Sequence, residues 1–195
     1  MSTSDEQALI NVLLTERTSR DLAQWEEMRA AFLDDAHVRV SWFSGSGPEF
    51  VTASRAMCEA GSRSFHEIGA VHVEIRCERA LAHADAAVHA RAALGGVDVD
   101  VTTYGRIYWR ARRLDGRWRI ASLEMLYHKD TLSPVDPTQL IDPAAIATAT
   151  GYRESYRYLT AMLHAMGREI DQELPGSDRP DLVDKFLTDH RTWLA

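Results

Sequence analysis

The sequence predicts an α+β protein in which two or three helices pack in the hollow of a curved antiparallel sheet. Apolar residues recur at helical spacing near the N-terminus, and apolar–polar alternation runs through much of residues 70–127. Glycine-containing turns divide the alternating part into long strands. With 195 residues and 45% hydrophobic content, the chain can bury one core but is short for two independent domains.

The N-terminal half is predicted to contain helices interrupted by one strand. Residues 37–43 alternate apolar and polar side chains, which indicates the strand. The glycine-rich stretch 44–50 that follows is interpreted as a loop. Apolar residues at helical spacing predict helices around Leu9 to Leu13, over 21–33 and over 53–65.

Strands dominate the second half of the predicted core. The alanines of residues 84–94 could equally indicate a helix, but the Gly95-Gly96 turn that follows favours a hairpin. Asp115-Gly116 forms a second two-residue turn. The predicted strands cover 70–78, 84–94, 97–109 and 117–127. Alternation along the third of them places seven residues on one face: Val97, Val99, Val101, Thr103, Gly105, Ile107 and Trp109.

A proline-containing boundary near Pro134 separates the predicted α+β domain, residues 1–133, from a helical C-terminal extension, residues 134–195. Two helices are predicted in this extension, over 152–174 and 179–194. Both have apolar stripes, but together they offer little core of their own. We therefore expect the extension to pack on the domain or on a partner subunit.

The charge balance and the cysteine count exclude several classes of protein. Asp and Glu outnumber Lys and Arg by 29 to 22, so the formal net charge of −7 argues against a nucleic-acid-binding protein. The N-terminal segment is acidic where a signal peptide would be basic, and its apolar run is too short to span a bilayer. Cys58 and Cys77 have no paired spacing, so a reducing compartment is the default. We expect a cytoplasmic protein with neither nucleic acid nor membrane as a partner.

Two polar residues at predicted element ends are candidates for chemistry. Asp21 and Gln24 have the spacing of a helix N-cap and the third helical position, which would explain Asp21 structurally. His66 lies between a predicted helix and a predicted strand, where it could be a solvent-facing turn residue. The eight histidines form no His-x-His pair and no metalloprotease-type helical pair, so no metal site is predicted.

The order of these elements resembles the SnoaL-like branch of the nuclear-transport-factor-2-like superfamily over roughly residues 5–130. The resemblance rests on a helix, a break with an aspartate four residues before a tryptophan, the stretch FLDDA, a strand, a helix, a histidine, and long strands joined by a DGRWRI turn. Within that branch the chain looks most like scytalone dehydratase, bile-acid dehydratase and hexachlorocyclohexane dehydrochlorinase. The resemblance implies a cone-shaped domain with an aspartate–histidine pair at its wide end, and no metal or organic cofactor.

Carried over to this sequence, the resemblance implies that His66 is a catalytic base and that Asp21 orients it. Glu16 stands five residues before Asp21, where a tyrosine or lysine would be more familiar, and is a candidate for substrate binding. Tyr127 is a candidate hydrogen-bond donor to the substrate. Leu123 stands where the dehydrochlorinase carries an arginine, and Trp109 where an acid is often found. The expected cavity is apolar and aromatic, although about half of its residues could be ordinary core: Val38, Val40, Trp42, Ile107, Trp109, Leu123, Met125 and Tyr127.

These expectations favour a cofactor-independent lyase or isomerase, of the dehydratase type, acting on a small hydrophobic cyclic molecule. A neutral imidazole is a useful base near pH 7, and a carboxylate on one ring nitrogen fixes its tautomer. Two alternatives on the same fold are a non-catalytic ligand-binding or dimerisation module and the small subunit of a ring-hydroxylating dioxygenase. Aromatic and arginine side chains on the outer sheet face predict a homo-oligomer, most simply a two-fold dimer: Tyr104, Arg106, Tyr108 and Arg110.

Overall fold

Seven strands form one curved, unclosed sheet in the computed structural model, which describes residues 3–195. The strands are β1 (Phe32–Val40), β2 (Phe43–Ser46), β3 (Arg63–Ile68), β4 (His72–Arg76), β5 (Arg79–Leu94), β6 (Val97–Leu114) and β7 (Arg117–Pro134). Their order is β2-β1-β7-β6-β5-β3, and β4 also pairs with β5. All pairs are antiparallel except β1 with β7.

Helices lie on both faces of this sheet. They are α1 (Thr3–Asp21), α2 (Trp25–Ala30), α3 (Gly47–Glu59), α4 (Pro143–Ala147), α5 (Arg157–Ala165) and α6 (Pro180–Leu194), with short 3-10 turns over Thr148–Gly151 and Glu154–Tyr156. Leu9 and Leu13 of α1 are fully buried in the main core, together with Phe50 of α3. The predicted α+β fold, with helices in the hollow of an antiparallel sheet, is confirmed.

The helix predicted over 21–33 is shorter than predicted, because α1 continues to Asp21 and the chain then breaks before α2. Ala23 has a positive φ of 59°, which a helix does not tolerate. Only the six residues of α2 follow before β1 begins at Phe32. The Phe32 ring packs edge-on against Phe50, with ring centroids 6.2 Å apart. Packing of the sheet against α3 thus overrides a local helical pattern.

The predicted loop over 44–50 is also wrong, since it contains β2 and the start of α3. Ser46 caps α3 through a reciprocal pair of bonds: its hydroxyl accepts from the Glu49 N–H, and the Glu49 carboxylate accepts from the Ser46 N–H. This is the capping-box pattern, and Pro48 fits the first turn. A Cβ atom on Gly47 would lie 3.0 Å from both Ala36 and Phe32, so glycine permits the close approach of α3 to β1.

The strands β5, β6 and β7 are confirmed and extend further than predicted, whereas the strand predicted over 70–78 is the shorter β4. Both turns have the positive φ angles of a two-residue hairpin, 60° and 81° at Gly95-Gly96 and 51° and 74° at Asp115-Gly116. Register shifts between β6 and β7 accompany the curvature of the sheet. His66 does not precede a strand as predicted but lies within β3, paired with Val88 of β5.

The helix predicted over 152–174 is much shorter than predicted, because α5 spans only nine residues and the chain turns away at Gly167, which has a φ of 76°. Leu159, Met162 and Leu163 of α5 belong to the main core on the concave side of the sheet. The helix predicted over 179–194 is confirmed as α6, which packs on the outer face. No helix within residues 3–195 is both long and apolar enough to cross a membrane.

Candidate active site

Asp21 and His66 meet where the end of α1 passes over β3. The Asp21 Oδ1 atom lies 2.7 Å from His66 Nδ1, and Asp21 Oδ2 accepts the backbone N–H of His66 at 2.8 Å. Both carboxylate oxygens are therefore engaged by the same histidine. The predicted N-cap role of Asp21 is wrong, because Gln24 precedes α2 and makes no side-chain cap.

The two neighbours of the His66 ring determine its tautomer. An ionised Asp21 can only accept, so Nδ1 carries the proton. On the other side, Arg17 Nη1 lies 3.4 Å from Nε2, and a guanidinium can only donate. The Nε2 lone pair consequently faces Arg17 and the cavity. In this tautomer the neutral imidazole can take up a proton at Nε2.

Burial and hydrogen bonding together determine the protonation of the pair. The His66 side chain is 6% exposed, and burial lowers its pKa to about 4. The hydrogen bond to Asp21 opposes this shift, whereas the positive charges of Arg17 and Arg20 add to it. Burial acts to raise the pKa of Asp21, but the hydrogen bonds from His66 outweigh it and the pKa lies below its usual value. At neutral pH the pair is an uncharged imidazole beside a carboxylate.

Arg17 contacts the unprotonated nitrogen of His66. It is 5% exposed, and its guanidinium lies 5.8 Å from the centre of the Phe50 ring. Glu16, which is fully buried, accepts hydrogen bonds from Nε and Nη2 of the same guanidinium. Glu16 thus lies behind Arg17 and does not reach the cavity, because a residue five positions from Asp21 on a helix points about 140° away.

Arg20 lies on the other side of the pair. Its Nη1 donates to the Ser64 hydroxyl at 3.1 Å and lies 3.7 Å from Asp21 Oδ1. Burial lowers the pKa of Arg20 to about 10, and the charge of Arg17 acts in the same direction. The guanidinium also lies 5.9 Å from the centre of the Trp42 ring, so aromatic contact supplements its two polar partners.

A cavity of about 90 Å³ opens in front of His66. Seven of the residues expected at this cavity do line it: Val40, Trp42, His66, Ile107, Leu123, Met125 and Tyr127. Val38 and Trp109 are instead fully buried core residues that do not line it. Aliphatic and aromatic side chains make up most of the wall, and the polar groups of His66, Arg17, Arg20 and Ser64 converge at one end.

Tyr127 lines the cavity and is also tied to the backbone beside it. Its phenol oxygen accepts the N–H of Ser41 at 2.8 Å, which leaves the hydroxyl proton available for donation. Burial raises the pKa of Tyr127 to about 12, so the phenol stays protonated. This geometry is compatible with the predicted role as a donor.

Sequence reasoning missed several cavity residues, among them Arg17 and three residues of α5. Arg17 lies four positions before Asp21, a spacing that puts both on one helical face, but only if Asp21 belongs to α1. Leu159, Met162 and Leu163 come from α5 and close the cavity on the concave side. Their helical spacing is visible in the sequence, but their position over the sheet is not.

Acidic, histidine and cysteine side chains form no group of three that could hold a metal ion within residues 3–195.

Comparisons with known proteins show what the chain is similar to. The family model of the SnoaL-like domain matches residues 1–124. Pea pathogenicity protein 2 of Fusarium vanettenii is 27% identical over 184 residues, covering 90% of this chain and 77% of that protein. The tenth of this chain that the match leaves uncovered is shorter than the C-terminal extension. The similarity therefore continues beyond the SnoaL-like domain into the extension.

Solved structures share the fold at low sequence identity. The hexachlorocyclohexane dehydrochlorinase LinA-type3 of Novosphingobium barchaimii has a TM-score of 0.57 and 16% identity, covering 72% of this chain and 96% of its own. A protein of Novosphingobium aromaticivorans provisionally assigned as a scytalone dehydratase has a TM-score of 0.56 and 16% identity, covering 71% and 96%. At this identity the likeness shows the fold alone.

Proposed function

Because the chain belongs to the SnoaL-like domain family, we propose that it is a cofactor-independent lyase or isomerase in which His66 removes a proton from carbon. The observation that carries the proposal is a neutral imidazole, held by Asp21 at Nδ1, whose Nε2 faces an apolar cavity. The substrate is a small hydrophobic molecule, cyclic by analogy with the compounds named in the dehydrochlorinase and dehydratase neighbours.

Each part of this site would serve a proton transfer. As His66 takes the proton, the Asp21 carboxylate stabilises the imidazolium that forms. The apolar wall excludes water, so that charge developing on the substrate interacts with Arg17 and Tyr127 through a low dielectric. The imidazolium can then return the proton, either to another carbon in an isomerisation or to a departing group in an elimination.

The first prediction concerns His66 and Asp21 in turnover. In a screen of small cyclic hydroxyketones and halides followed by mass spectrometry, His66→Gln should lower the rate by about 10²–10⁴-fold, the usual contribution of a general base. Asp21→Asn should also lower the rate strongly, because an amide has one acceptor oxygen where His66 presents two N–H donors.

The matched control is His37→Gln, since His37 is an exposed histidine of β1. It should retain the wild-type rate. If His66→Gln turns over the same compound at the wild-type rate, His66 is not the base and a ligand-binding module becomes the better description.

A further inference from the structure

The Glu16 carboxylate holds the Arg17 guanidinium much as the Asp21 carboxylate holds the His66 imidazole, and the two pairs lie side by side. Glu16 accepts from Nε and Nη2 along one edge of the guanidinium, which leaves the second N–H of Nη2 and, for the other neighbours of Arg17, both N–H groups of Nη1. That nitrogen lies 3.4 Å from His66 Nε2, a weak contact, and the residue lines the cavity. One carboxylate thus orients the base, and another orients a cation at its side.

Structural stability alone does not account for this pair. Both side chains are almost completely buried, and a buried ion pair is often no more stable than apolar residues of the same volume. The Arg17 guanidinium instead keeps N–H donors next to the nitrogen that would take up the proton. In this it resembles the preorganised donors that stabilise negative charge developing on a substrate.

We propose that Arg17 Nη1 donates to the carbonyl oxygen of the substrate, which is an enolisable carbonyl compound. The proposal rests on the proposed function of His66. The C–H bond next to the carbonyl breaks, its proton goes to Nε2, and its electron pair forms the carbon–carbon double bond of an enolate. The carbonyl π pair moves onto oxygen, where Arg17 stabilises the charge. No oxidant or reductant is needed, and the enolate collapses by protonation elsewhere or by loss of a β-substituent.

The distances suit a carbonyl group. In a C–C=O unit the outer carbon and the oxygen lie about 2.4 Å apart. The two protein nitrogens that would contact these atoms lie 3.4 Å apart. A substrate carbon about 3–3.5 Å from Nε2 and an oxygen about 2.7–3.1 Å from Nη1 can therefore be held at the same time.

The placement of Arg17 beside His66 also argues against a role limited to the leaving group. In a concerted anti elimination the leaving group departs from the face opposite the base. A cation serving it would then lie across the cavity from His66, whereas Nη1 adjoins Nε2. A carbonyl oxygen on the neighbouring carbon can lie on the same side as the proton that is removed.

The test uses 4-nitrophenol, a single-ring probe whose phenolate mimics an enolate oxygen and is distinguished from the neutral phenol by its absorbance. Titrating the full chain at several pH values gives separate affinities for the two forms. The wild type should bind the phenolate more tightly. Arg17→Gln should weaken phenolate binding by about tenfold or more, as expected for a hydrogen bond to a charged group, and change the affinity of the neutral phenol less.

Arg20→Gln is the charge-matched control, because it removes the same charge from the same helix. It should have a clearly smaller effect, since Arg20 Nη1 is already engaged by Ser64 and Asp21. If Arg17→Gln does not fold, the double variant Glu16→Gln/Arg17→Gln removes the charge without leaving a carboxylate unpaired. No phenolate preference in the wild type, or equal losses for Arg17→Gln and Arg20→Gln, would overturn the proposal.

His66→Gln separates this inference from the proposed function. The variant should lose turnover but keep its preference for the phenolate, because Arg17 remains. If turnover proves independent of His66 while the preference persists, the proposed function fails and the oxygen site stands. If turnover depends on His66 but replacing Arg17 leaves phenolate binding unchanged, the oxygen site fails alone.

Discussion

The position of Asp21 illustrates how a single residue acquires its role. As the last residue of α1, its carboxylate lies at the negative end of the helix dipole, an unfavourable place for an anion. Two hydrogen bonds from His66, at 2.7 and 2.8 Å, compensate for this position. Because Asp21 caps no helix, loss of its carboxylate should affect the histidine rather than helix stability.

The low pKa of His66 leads to a pH dependence of stability. Unfolded His66 takes up a proton below its ordinary pKa of 6.5, whereas the buried ring does so only near pH 4. The unfolded state therefore binds more protons in this window, and the free energy of unfolding falls as the pH drops. Between pH 7 and pH 5 the wild type should lose about 2 kcal/mol more than His66→Gln.

Chemical denaturation of the two proteins at both pH values measures this difference. The pKa of Asp21 lies below its usual value. Its ionised carboxylate therefore contributes stability at pH values above the usual pKa, and this contribution is lost only as the pH falls below that value. Asp21 thus does not obscure the comparison between pH 7 and pH 5. Equal losses in wild type and variant would show that His66 titrates as a solvent-exposed histidine does.

At the scale of elements, α5 connects the C-terminal extension to the candidate site. Leu159, Met162 and Leu163 lie in the main core and also form part of the cavity wall. The segments on either side of α5 are tied by the ion pair of Arg153 and Asp178, whose closest atoms are 2.6 Å apart. A change in α5 should therefore alter both the stability of the core and the shape of the cavity.

Replacing a buried leucine of α5 tests this connection. Leu163 is 2% exposed, so Leu163→Ala should lower the free energy of unfolding by about 2–5 kcal/mol, the usual cost of a large-to-small change in a core. Leu140 of the same extension is 90% exposed, and Leu140→Ala should change stability by less than about 0.5 kcal/mol. Thermal denaturation compares them, and equal melting temperatures would mean that α5 does not share the core.

For the whole molecule, the outer face of the sheet is divided between α6 and open surface. Phe186 of α6 packs on Tyr108, with ring centroids 4.9 Å apart, and Trp193 lies over Arg110. Half of the predicted dimer face is thus covered by the chain itself. Tyr104 remains 38% exposed, and the neighbouring Phe65 of β3 is 52% exposed and stacked on His89.

We propose that the predicted homo-oligomer, most simply a dimer, uses the open part of this face. Light scattering at micromolar concentration should give the mass of a dimer for the wild type. Phe65→Ser combined with Tyr104→Ser should shift it toward the monomer, since aromatic side chains contribute strongly to interfaces. Leu22→Ser, at another exposed apolar residue, should leave it unchanged. A monomeric wild type would contradict the prediction.

The sequence by itself determined the elements whose signals are local. The alternation of β6 and the turns at Gly95-Gly96 and Asp115-Gly116 depend on neighbouring residues alone, and all three are as predicted. The helix α6 has a clear apolar stripe and a proline in its first turn. Asp21 and His66 were singled out together only through the resemblance in element order, because neither has a distinctive local motif.

Tertiary structure alone decided where the site groups meet. A left-handed backbone usually falls on a glycine, but here it falls on Ala23. The sequence therefore does not indicate that α1 extends to Asp21, nor that Arg17 shares a helical face with Asp21. His66 became a strand residue through its pairing with Val88, a contact distant in sequence. The α5 residues entered the cavity wall because apolar surface on a short helix is stable only when another element covers it.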